Sequence, residues 1–119
     1  MTKAEYLSSL PKVKIDNAKT EQIQKIYKKP LPEIIKEIVS RSDEAIFFED
    51  GSRMISFEEM LDAEQDLHVD FKAKEIIPVT DCGENDFIVY HLEDGSWSKF
   101  NIVDESVFKK KKTLNELLK

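Results

Sequence analysis

Apolar positions along this chain follow two periods, and the switch between them separates a helical part from a sheet part. Ile23, Ile26 and Tyr27 recur at helical spacing, and so do Ile34, Ile35, Ile38 and Val39. Thr20 is the expected N-cap of the first helix. Pro30 stops it, because proline lacks a backbone donor and collides with the preceding turn. Leu31-Pro32-Glu33 opens the second helix, with proline near its first position and an acid in its first turn. Ser40 to Glu44 ends it. Ala45 to Phe48 then reads as a strand, Asp50-Gly51 as a tight turn and Arg53 to Ile55 as the antiparallel return. Ser56 and Glu59 form a capping box, with Ile55 and Met60 placed for a hydrophobic staple. Leu61, Glu64 and Leu67 continue that helix.

The pattern then becomes alternating. Lys74 to Val79 is read as a strand, Thr80 to Asn85 as a polar loop, and Asp86 to Leu92 with Trp97 to Ile102 as a hairpin around Asp94-Gly95. A two-residue turn there would pair Leu92 with Trp97, Tyr90 with Lys99 and Ile88 with Asn101. Between them fall His91 with Ser98, Val89 with Phe100 and Phe87 with Ile102. Phe87, Val89, Phe100 and Ile102 then share one face, expected to bury against helices. The other face holds Ile88, Tyr90, Leu92 and Trp97 among Lys99 and Asn101, suited to a covering element or to a partner. Lys109 to Lys112 reads as a solvated linker. Thr113 and Glu116 are a second capping box, opening a terminal helix of Leu114, Leu117 and Leu118 that is too short to stand alone and must dock. Residues 1–19, lysine-rich and weakly periodic, read as a loosely docked arm before a single domain over residues 20–119.

Composition narrows the class. In 119 residues there is room for one modest core. A hydrophobic share of 40% beside a charged share of 35% is that of a folded chain rather than a disordered one. No apolar run approaches the ~20 residues that span a bilayer, so no membrane partner is expected. Met1 to Tyr6 lacks the features of a secretory signal, and a lone cysteine suits a reducing compartment, so the cytoplasm is the expected location. The net charge of −6 is unevenly spread. Residues 1–30 carry seven lysines against three acids, and residues 109–119 five lysines against one acid. Residues 31–108 carry twenty acids against six basic groups. Such a body repels phosphate backbones, which disfavours direct nucleic-acid binding, and it speeds encounter with a basic protein.

No residue pattern calls for catalysis. Asp81, Cys82, Glu84, Asp86 and His91 include metal-ligand types, but they lack calcium-loop spacing and no Cys or His pair has zinc spacing. Cys82 has no thiol-enzyme signature around it, and no serine occupies a Gly-x-Ser-x-Gly elbow. Three glycines, two of them in hairpin turns, cannot build a phosphate cradle. The reading is therefore of no catalytic residues, no metal and no cofactor.

Several segments, in their order, resemble the SMI1/KNR4 family of the SUKH superfamily across roughly residues 20–119. They are Leu31-Pro32 opening an amphipathic helix, the Phe57-Glu58-Glu59-Met60 helix, Ile76-Ile77-Pro78-Val79, the loop and strand Gly83 to Tyr90, Gly95-Ser96-Trp97, and the closing Thr113 to Leu118. The resemblance implies an α+β fold with helices packed on a twisted, mainly antiparallel sheet. It also implies a non-enzymatic immunity protein that binds and occludes a toxin of a bacterial polymorphic or contact-dependent system, often a nuclease. The alternative it implies is a regulatory or scaffolding module acting in signalling or cell-wall regulation. In the occlusion reading, Asp81, Glu84, Asp86, Glu93 and Asp94 meet a basic toxin surface, with Tyr90 and Trp97 as anchors.

Overall fold

Residues 1–118 are described here in a computed structural model. Its helices are α1 (Lys3–Ser9), α2 (Asn17–Tyr27), α3 (Glu33–Arg41), α4 (Phe57–Leu67), α5 (Phe71–Lys74) and α6 (Leu114–Leu118), with a 3-10 turn at Leu10–Lys12. Its strands are β1 (Ile46–Phe47), β2 (Arg53–Met54), β3 (Ile76–Gly83), β4 (Asp86–His91), β5 (Trp97–Asn101) and β6 (Val107–Lys111). The strands form one sheet in sequence order, each antiparallel to the next. The fold is α+β, as the sequence implied.

Residues 1–19 are not an arm. Thr2 and Glu5 cap α1 reciprocally, and Tyr6 and Leu10 are buried in the same core as the sheet. Tyr6 sets its ring edge-on to Phe48 at 5.9 Å. The domain therefore begins well before residue 20, and the Thr2-x-x-Glu5 box was its sequence signal. The second expectation corrected at this end is the start of α2. Asp16, not Thr20, is its N-cap, accepting from the Lys19 amide at 3.2 Å. Thr20 lies inside the helix, buried, and returns its hydroxyl to the Asp16 carbonyl at 3.0 Å.

The capping box at α4 forms as expected. Glu59 N–H donates to Ser56 Oγ and Ser56 N–H to Glu59 Oε1, both at 3.2 Å. Ile55 and Met60, the staple positions, are both buried. At α6, Glu116 accepts from the Thr113 amide at 3.2 Å.

Strand β3 runs further than expected, through Gly83, so Thr80 to Gly83 is strand rather than loop. Only Glu84 and Asn85 form the turn, both at positive φ (53° and 68°), the two-residue geometry that matches the twist of a hairpin. The register slips beside Pro78, which has no amide to offer the ladder, and again beside Cys82.

The β4–β5 pairing is displaced by two residues from the expected one: Phe87 faces Phe100, Val89 faces Ser98 and Tyr90 faces Trp97. The turn explains the slip: the Ser96 amide, which a two-residue turn would return to the Glu93 carbonyl, is taken by Asp94 Oδ1 at 2.9 Å, so Leu92 to Gly95 make a four-residue loop. The turn closes instead at His91 and Ser96, with the Gly95 amide reaching the His91 carbonyl at 2.9 Å. A slip of two keeps every side chain on its face, whereas a slip of one would have reversed them all.

Both faces are covered. On one, Phe100 meets Phe71 of α5 at 6.1 Å and Phe87 lines a small cleft together with Ala63 and Leu67 of α4. The other, which the sequence left open, carries α6, whose Leu114 and Leu118 are buried. The lysine run is not a linker: Lys109, Lys110 and Lys111 belong to β6.

Candidate functional site

The acids singled out by sequence divide between the two ends of β4. Asp81, Glu84 and Asp86 stand at the β3–β4 end, Glu93 and Asp94 at the β4–β5 end. Six strand residues separate the two turns, roughly 20 Å at 3.3 Å per residue. They do not make one patch, so a single acidic face of five is corrected to two unlike groups.

At the β4–β5 end, Asp94 is spent on structure. Its Oδ1 accepts from the Ser96 amide at 2.9 Å and from the Ser96 hydroxyl at 2.6 Å, and its Oδ2 pairs with Lys110 at 2.8 Å. The Lys110 ammonium and these Ser96 bonds hold the carboxyl well below the usual carboxylate range. Glu93 is exposed beside it. Tyr90 and Trp97 are 7% and 2% exposed and meet edge-to-face at 4.9 Å. As anchors reaching out to a partner they are corrected: their rings face each other beneath the turn. His91 donates to or accepts from Ser98 at 2.7 Å, and burial, with Lys110 nearby, pulls its pKa down. Ser98 is fully buried and His91 half-buried.

The β3–β4 end is different. Arg53 of β2 grips Glu59 of α4 with two bonds of 2.7 Å and reaches Asp81 of β3 at 3.4 Å. These bonds raise the Arg53 pKa and lower that of Glu59, whose carboxylate stays charged. Asp81 also accepts from the Gly83 amide at 2.9 Å, and Asp86 from the Asn101 side-chain amide at 2.8 Å. Glu84 is exposed at the tip. Arg53, Glu59, Asp66 and Asp81 line one small cleft of about 80 Å³, which brings α4 alongside the end of β3.

That cleft extends the acidic end in a way the sequence reading missed. Glu58, Asp62 and Asp66 of α4 are all exposed, and four-residue spacing puts them on one side of the helix, next to Glu59. Asp66 shares the cleft with Asp81, so the α4 acids carry the negative charge of the Asp81–Glu84 end onward along the helix as an acidic ridge. The spacing was legible; that Asp66 shares a cleft with Asp81 at the end of β3 was not.

Cys82 is half-buried, and burial pushes its thiol up, away from the reactive thiolate. It lies in a polar cleft of about 160 Å³ with Lys3, Asp50, Ser52 and Lys99, roofed by Leu117 and Leu118. No helix among the described residues is long and apolar enough to cross a membrane. The arrangement offers fixed negative charge on a rigid helix and turn. No protein-family model and no curated protein matches the chain.

Proposed function

We propose that this chain is a non-enzymatic protein-binding domain that neutralises a basic toxin domain by covering it, as the SUKH-type resemblance implies. The acidic ridge carries the reading. Glu58, Asp62 and Asp66 project from a doubly capped helix, and Glu84 from a two-residue turn, so their charges are held in place before any partner arrives. Charge arranged in advance speeds encounter and lowers the ordering cost of binding. Arg53 serves the ridge from within, neutralising the carboxylates that face the sheet and leaving the outer ones for the partner. The toxin's own active residues or its substrate path would then be blocked by the bound body, with no chemistry required of this chain.

Where the gene immediately upstream encodes a modular toxin, co-expression with that toxin tests this. Cells should survive, and the purified pair should bind 1:1 with an affinity that falls as salt rises. The combined Asp62→Lys, Asp66→Lys and Glu84→Lys variant should keep its fold and lose about a hundredfold or more in affinity. Undiminished rescue by that variant would sink the ridge as the docking surface.

A further inference from the structure

The last strand of the sheet has the opposite charge. β6 ends the strand order, so one side of its backbone has no neighbouring strand, and alternate N–H and C=O groups there face outward. Lys109, Lys110 and Lys111 are exposed along it, and Val107 beside them is 49% exposed. Lys110, Lys111 and Lys112 line an open groove of about 600 Å³ with Ser96 and Glu116. Lys110 is held by Asp94, but among the described residues no ion pair engages Lys109, Lys111 or Lys112.

Three occupants compete for such an edge. A second copy is disfavoured, because pairing β6 with β6 sets lysines against lysines, and the other edge strand, β1, has only two residues. A long nucleic acid would run from this basic strip onto a body with twenty acids in residues 31–108. A short acidic protein segment meets only the local lysines and can also use the open main-chain groups. We infer that β6 is a docking edge for an acidic, extended segment of another protein, added as a further strand. The bulge at Lys109 (φ 52°), where the β5–β6 register slips, limits regular pairing to a short stretch. Main-chain bonds therefore supply only part of the affinity, and the lysines supply the rest. This edge shares no residue with the acidic ridge, so it stands or falls independently of the toxin reading.

The test titrates an eight-residue peptide of alternating glutamate and valine into the full isotope-labelled chain. Amide shifts should centre on Val107 to Lys112. Affinity should fall about tenfold or more when alternate peptide nitrogens are methylated, and by a similar factor in the Lys111→Glu/Lys112→Glu variant, whose remaining spectrum stays unchanged. Shifts elsewhere, or none at millimolar peptide, overturn the inference. Equal binding of the methylated peptide also overturns it, since charge alone would then suffice. Tighter binding of a single-stranded oligonucleotide at the same residues would assign the strip to nucleic acid instead.

Discussion

The two turns flanking β4 contain similar residues and do different work. At the β4–β5 turn the aspartate folds back on its own serine, a lysine from the next strand neutralises it, and the aromatic rings beneath are buried. At the β3–β4 turn, Glu84 projects freely from the tip, and the acids behind it are continued by the outer side of α4. The same device as at Asp94 recurs at Asp50 with Ser52 and at Asp104 with Ser106, each aspartate accepting from the serine amide at 2.9 Å. Aspartate two residues before serine is thus a turn-making unit here. An aspartate's presence in a loop says little about function until its partners are known.

The largest effect expected from breaking this contrast is at Trp97. Trp97→Ala removes a buried ring and its edge contact with Tyr90, and should cost about 3–5 kcal/mol in urea unfolding. A variant that folded normally and lost only partner binding would make Trp97 a surface anchor and erase the difference between the turns. A smaller effect is expected at the turns themselves. Asp94→Ala removes the two Ser96 bonds and the Lys110 pair and should cost about 1 kcal/mol, whereas Glu84→Ala should change stability by less than about 0.5 kcal/mol. Equal costs would mean that Glu84 also has a structural task.

The smallest effects are those of pH. Burial lowers the His91 pKa below its usual 6.5. Between the two values the unfolded chain binds the proton more readily, so this contribution is complete above pH 6.5 and is lost as pH falls. Chemical denaturation at pH 7 and pH 5.5 should show a small loss of stability that His91→Gln abolishes. Asp50 and Asp94, held low by Lys3, Lys110 and their serines, act in a lower window. Their contribution is complete above the ordinary carboxylate range and is lost as pH drops below about 4. Replacing either aspartate with asparagine should flatten the unfolding profile there. An unchanged acid profile would show that these pairs do not favour the folded state.

Much of the chain could be read directly. The α3 face, the α4 capping box and the faces of β4 and β5 depend on neighbours within a few residues, and these formed as expected. The misreadings came where distant segments decided. Residues 1–19 are weakly periodic because only Tyr6 and Leu10 are fully buried, with Leu7 partly buried beside them, and that burial needs Phe48 and the rest of the core. The hairpin register turned on the Asp94 carboxylate, which takes the Ser96 amide and is held by Lys110 of β6.

Local sequence therefore determined the α3 face, the α4 cap and the sides on which the residues of β4 and β5 lie, because capping and alternation act within one turn or one strand. Tertiary structure alone decided which charges remain available. An acid becomes a turn fastener, an ion-pair partner or an open surface group according to what other segments bring beside it. Asp94 acquires Lys110 from β6, Asp81 acquires Arg53 from β2, and the outer acids of α4 face solvent and pair with no cation among the described residues.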